Sequence, residues 1–107
     1  MKTVRWLLAA LLVIAALSGC RLLLGEATLR VVNSSTEDIF TVYISPSYES
    51  NWGSDWLVGS IPADGGYRDF PDIIACDYDV WLRSTTYDWT FMNIELNRNS
   101  LVTITAF

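Results

Sequence analysis

From Ala27 to the C-terminus, apolar and polar residues alternate, and this alternation constrains the fold more than any other feature of the chain. Leu29 and Val31 alternate with Thr28, Arg30 and Val32. Phe40, Val42 and Ile44 alternate with Thr41, Tyr43 and Ser45. Tyr78, Val80 and Leu82 oppose Asp79, Trp81 and Arg83, and Met92, Ile94 and Leu96 oppose Phe91, Asn93 and Glu95. Val102, Ile104 and Ala106 oppose Thr103 and Thr105. A period of two places each set on one face of a strand, whereas a helix needs a period of 3.6. Seven runs follow: Ala27–Asn33, Asp38–Ser45, Leu57–Ile61, Gly66–Phe70, Tyr78–Ser84, Thr90–Leu96 and Leu101–Phe107. Turn formers separate several of them, among them Asn33-Ser34-Ser35, Pro62-Ala63-Asp64-Gly65, Pro71-Asp72 and Asn97-Arg98-Asn99. One buried face per strand and short turns predict an all-β fold. The expected form is a small antiparallel β-sandwich of about seven strands, with a small closed barrel as the alternative.

The first residues are of another kind. Lys2 and Arg5 precede an unbroken apolar run of 12 residues, Trp6 to Leu17, and then Leu17-Ser18-Gly19-Cys20. Charge followed by a short apolar run is the order of a secretory signal. A bilayer core needs about 20 apolar residues, so the run alone is too short to span. An uncleaved membrane helix continuing through Leu24 would bury Arg21, at about 2.5–3.5 kcal/mol near its centre. The four residues resemble the lipobox of bacterial lipoproteins. In that family the cysteine thiol receives a lipid and the chain is cut just before it. The resemblance implies a helical signal peptide over residues 1–19, which is removed, a lipidated Cys20 and tether over 20–26, and a β domain over 27–107. The partner at that end is then the membrane, reached through the lipid on Cys20. The location implied is the bacterial cell envelope: the outer membrane in a Gram-negative cell, otherwise the outer face of the plasma membrane.

Cleavage before Cys20 would leave 88 residues, with 12 acids, five arginines and a formal charge of −7. So acidic a chain cannot hold nucleic acid by neutralising phosphates. It contains no histidine, the commonest general base and zinc ligand. Ser34, Ser35, Thr85 and Thr86 therefore have no imidazole to activate them, and no enzyme activity and no cofactor are expected. Asp64, Asp69, Asp72, Asp77 and Asp79, with Glu49, Asn51 and Asp55, could supply calcium oxygens but lack an ordered ligand spacing. With Cys20 lipidated, Cys76 is expected to be a buried, unpaired thiol.

The longest stretch between strands is Ser45 to Trp56, 12 residues with three large aromatics. Hairpin loops of compact β domains usually hold about two to five residues, and longer loops tend to be functional. The candidate binding residues are Tyr48, Trp52, Asp55 and Trp56. Aromatic rings beside amides and carboxylates suit either a protein or a glycan partner. Gly53 is expected at positive φ. A tryptophan folded back as a lid over the sandwich end is the competing reading.

Asn33-Ser34-Ser35, Ile39, Tyr43-Ile44-Ser45-Pro46, Trp52-Gly53-Ser54-Asp55 and Cys76-Asp77-Tyr78-Asp79-Val80, in that order, resemble a group of small exported bacterial domains of unknown function. The resemblance covers most of the chain after Cys20 and implies an all-β fold without an activity. Members often carry a second cysteine after the strand that matches Asn93 to Leu96. Asn97 or a neighbour stands there, which implies either a disulfide lost from this chain or a different alignment of that strand. The function expected is a non-enzymatic binding module on a lipid anchor. The alternatives are a structural envelope lipoprotein without a ligand and a glycan-binding lipoprotein that uses the Ser45–Trp56 loop.

Overall fold

A computed structural model describes residues 25–107; the segment expected to be a signal peptide, its expected cleavage point and Cys20 lie outside the described residues. The described part is all-β, with six strands in two three-stranded sheets and no helix. Strands β1 (Glu26–Asn33), β3 (Gly66–Ile74) and β6 (Leu101–Ala106) form sheet I, in the order β3-β1-β6. Strands β2 (Thr41–Pro46), β4 (Cys76–Arg83) and β5 (Asp88–Leu96) form sheet II, in the order β2-β4-β5. A single hydrophobic core draws on both sheets: Leu29 and Val31, Val42 and Ile44, Val80 and Leu82, and Ile104 and Ala106 are all buried in it. These residues are the apolar phases of the alternation, so the inward faces of β1, β2, β4 and β6 follow directly from their sequences.

Four features differ from the sequence reading. The run Leu57–Ile61 is not a strand: Leu57 and Ile61 enter the core, but pairing is limited to one bridge between Ile61 and Ile39. Phe40, expected inward, is exposed, and Ile39 is buried in its place. Pro71-Asp72, expected as a turn, lies inside β3 as a β-bulge. Leu29 pairs with Phe70 and Ala27 with Ile73, so Pro71 and Asp72 together face Thr28. Proline is tolerated there because β3 is an edge strand and a bulge gives up ladder bonds. The antiparallel expectation also fails for one pair, since β1 and β6 run parallel. A parallel pair needs a long crossover, and here all the chain from β2 to β5 supplies it.

A second bulge shifts the phase of β5. Tyr78 pairs with Ile94 but Val80 pairs with Phe91, so Met92 and Asn93 face Asp79 alone. Asn93 sits at φ 55°, and its N–H donates to Asp79 Oδ1 at 3.0 Å. Asparagine accepts this conformation more readily than most residues. Before the bulge, Trp89 and Phe91 therefore pack toward the core in place of Met92, which is exposed.

Cys76, at the start of β4, is buried as expected but is not an unpaired thiol. It is disulfide-bonded. The chain has one other cysteine, Cys20, which lies outside the described residues. The expectation of a lone thiol rested on lipidation consuming Cys20. One sulfur cannot hold both a thioether and a disulfide, so the lipidated protein would have Cys76 in a different bonding state from the one in the structure.

The two sheets share their ends. Gly25, Ala75 and the Asn97–Ser100 turn meet at one, where the Ala75 N–H donates to the Gly25 carbonyl and the Asn99 N–H to the Glu26 carbonyl. At the other end Glu37 clamps the β4–β5 turn: its Oε1 accepts from Ser84 Oγ at 2.8 Å and from the Thr86 N–H at 3.0 Å. Those bonds lower the Glu37 pKa, the Ser84 bond most. Asn33, fully buried, ties the same end together. Its Nδ2 donates to the carbonyls of Glu37 and Ile61, and its Oδ1 accepts from the N–H and hydroxyl of Ser35. The Asn-Ser-Ser turn is thus an internal knot.

Candidate functional site

The Ser45–Trp56 segment is held at several points. The Asp55 carboxylate is its main fastener: Oδ1 accepts the N–H groups of Val42 and Leu57, each at 2.9 Å. The Trp56 N–H donates to the Val42 carbonyl at 2.7 Å. β2 is an edge strand, and these bonds satisfy the outward groups of Val42 that no neighbouring strand reaches. Ser45 Oγ donates to the Asn51 carbonyl at 2.8 Å and closes the loop on itself. Gly53 takes φ 73°, as expected.

The four predicted binding residues do not form one site. Tyr48 is half-buried against the core, and burial, with Glu49 nearby, raises its pKa. Asp55 is engaged in fastening the loop. Trp56 leans edge-on against Phe70 of sheet I, with ring centroids 6.4 Å apart, and remains 43% exposed. Only Trp52 turns to the solvent face of sheet II, where its ring lies 5.7 Å from that of Trp81. The loop thus divides its rings between covering the core and covering the sheet.

Around Trp52 the structure gathers residues not singled out as a site from the sequence. Tyr43 of β2 and Trp81 of β4 are register partners, and their rings stack at 4.9 Å with an interplanar angle of 25°. The Arg83 guanidinium lies 4.9 Å from the centre of the Trp81 ring. Its Nε donates to Asp88 Oδ1 at 3.1 Å. A row of Tyr43, Trp81 and Trp52 with Arg83 beside it thus covers the outer face of sheet II. None of these residues belongs to the core cluster, which closes without them. The signal for them was present: Tyr43 and Trp81 occupy the polar phase of two alternating strands, where large aromatics have no packing reason to be.

The acids proposed for calcium are dispersed. Asp69 forms a two-bond pair with Arg30, at 2.7 and 3.0 Å. That bond lowers the Asp69 pKa and raises that of Arg30, whose guanidinium also lies 4.7 Å from the Tyr67 ring centre. Asp79 is buried at the β5 bulge and also accepts from Ser47 Oγ at 2.8 Å. Asp64 and Asp72 both sit at positive φ, Asp64 before β3 and Asp72 in its bulge. Among the described residues no three His, Cys, Asp or Glu side chains gather closely enough to hold a metal ion. A solvent-open cavity of about 490 Å³ adjoins the Gly25 end, lined by Glu26, Thr28, Asp72, Asn99 and Ser100 among others. Its polar wall offers no gathered catalytic or ligating group. Compared with protein families, curated proteins and solved structures, the chain matches none of them.

Proposed function

We propose that this chain is a bacterial envelope lipoprotein, anchored by lipid on Cys20, whose β-sandwich is a non-enzymatic binding module for a protein partner. The contact surface is the solvent face of sheet II, centred on Trp81. The observation that carries this reading is the row Tyr43, Trp81, Trp52 and Arg83: three large rings and a guanidinium on an outer face, beside a core complete without them. Trp, Tyr and Arg are the residues most enriched where truncation costs binding energy. A protein partner is favoured over a glycan because a sugar needs an open ring face. Tyr43, Trp52 and Arg83 all lie within 4.9–5.7 Å of the Trp81 ring, which leaves little of it open to a pyranose.

Lipid on Cys20 requires Cys76 to leave the disulfide it holds in the structure, but the position of the anchor suits a surface at the far end. Gly25 opens the described chain at one end of the sheets, five residues after Cys20. The surface around Arg83 and Asp88 then lies toward the end away from the membrane. Two or more acyl chains hold such a domain stably at a bilayer surface.

The test is photo-crosslinking in living cells. A photoreactive phenylalanine at Tyr43 should yield a discrete adduct with one envelope protein. The same probe at Val58, highly exposed and outside the row, should not. Trp81→Ala combined with the Tyr43 probe should abolish the adduct. Equal adducts from both positions would refute the surface, and loss of the adduct on adding soluble glycan would favour the glycan reading.

A further inference from the structure

Two three-stranded open sheets have four edges, and three of them are guarded. The outward groups of Val42 on β2 bond to Asp55 and Trp56. β3 carries Pro71 and a bulge, and its Arg68 grips the carbonyls of Val58 and Ser60 from the crossing loop. β5 has a bulge at Met92-Asn93 and carries Asp88 and Glu95. These are the devices by which natural sheets avoid edge-to-edge pairing: bulges, proline, charge and covering loops.

Among the described residues, β6 has none of them. Leu101 to Phe107 contains no charged residue, proline or glycine, and its pairing with β1 runs without a register shift. The direction of its backbone groups follows from its flanks. The carbonyls of Ser100 and Ala106 accept from Thr28 and Ser34 on the β1 side, so the even-numbered residues of β6 face β1. The N–H and C=O groups of Leu101, Thr103 and Thr105 therefore point to the free edge. The next outward carbonyl, that of Phe107, accepts Trp89 Nε1 at 3.1 Å, which ends the free stretch there. Leu101 is 52% exposed beside this edge.

We infer that β6 is a dimerisation edge, and that its occupant is β6 of a second copy of this chain, antiparallel about a two-fold axis at Thr103. The free stretch is self-complementary in that register. Thr103 faces Thr103 of the other copy, and Leu101 faces Thr105. All the outward N–H and C=O groups of Leu101, Thr103 and Thr105 are then paired in both copies. Threonine facing threonine is a favourable cross-strand pair, and an uncharged strand lets two acidic domains meet without like charges in opposition. The result is a continuous six-stranded sheet of order β3-β1-β6-β6-β1-β3. The inference is independent of the surface on sheet II.

The test uses the processed protein extracted from membranes in a density-matched detergent. Analytical ultracentrifugation should give a dimer, and Thr103→Lys, which sets two ammonium groups face to face, should give a monomer with an unchanged circular-dichroism spectrum, whose melting temperature, unlike that of the wild type, does not rise with protein concentration. Thr103→Cys should form a disulfide-linked dimer in high yield, because directly paired residues lie about 5.5 Å apart at Cα. Val58→Cys should not. A monomeric wild-type protein, a dimer that survives Thr103→Lys, or equal cross-linking of the two cysteine variants would overturn the inference.

Discussion

Replacing Asp55 by alanine should destabilise the domain more than a surface substitution normally does. One oxygen, Oδ1, accepts two backbone N–H groups, each at 2.9 Å. Both donors belong to buried residues, Val42 and Leu57, so water reaches them poorly once the carboxylate is gone. Hydrogen bonds to a charged acceptor contribute about 1.5–3 kcal/mol each, with the lower figure appropriate to a carboxylate that partly faces solvent. The two share one acceptor, which gives about 2–3 kcal/mol for the pair. In a domain of this size that corresponds to a fall of about 10–20 °C in melting temperature. Asp55→Asn keeps a carbonyl oxygen in place and should lose less than half as much. Urea and thermal unfolding of both variants measure this directly. A loss below about 0.5 kcal/mol in Asp55→Ala would refute the assignment of Asp55 as the fastener of the β2 edge and return it to the candidate ligand contacts.

Trp56→Ala, which removes a half-exposed ring from Phe70, should cost about 2 kcal/mol, roughly half the value for a fully buried aromatic. Trp52→Ala should cost about 1 kcal/mol, the scale of one aromatic contact, and should weaken the Tyr43 photo-adduct; chemical denaturation orders the two. Asn33→Ala strips four hydrogen bonds from a buried knot and should cost about 3 kcal/mol or more, read by the same method. The Glu37 pKa lies below its ordinary value of 4.5, so its contribution to stability is present above that pH and is lost as pH falls through the lowered folded value. Melting curves from pH 7 to pH 2 should show that loss, and Glu37→Gln should reduce the acid-side slope; an unaltered slope would contradict the clamp.

Much of this fold was legible because strand alternation is local. Val42 and Ile44, or Val80 and Leu82, announce their faces without knowledge of partners. What escaped depends on relations between strands. The parallel pairing of β1 with β6 leaves no trace in either sequence. The bulge at Asn93 reverses the phase of β5 partway along, so Phe91 moved inward and Met92 outward against a pattern that had looked uniform. Pro71-Asp72 has turn chemistry whether it ends a strand or bulges one, and only the partner Thr28 decides between them. In the loop the positive φ of Gly53 was legible, whereas the bonds of Asp55 to the edge strand depend on a partner its own sequence does not announce. Tyr43 and Trp81 were visible on the polar phase of their strands and were passed over in favour of the loop.

The lipid on Cys20 is the claim on which the whole placement depends, and the intact mass of the protein purified from bacterial membranes tests it most directly. The account predicts a chain that begins at Cys20, with the mass of residues 20–107 plus a diacylglyceryl group and any further acyl chain, the added mass mapping to Cys20 after proteolysis. It also predicts that Cys20→Ala leaves the precursor uncut at Gly19. An unlipidated chain in which Cys20 and Cys76 share one disulfide would contradict it, because that sulfur would then be unavailable to any anchor.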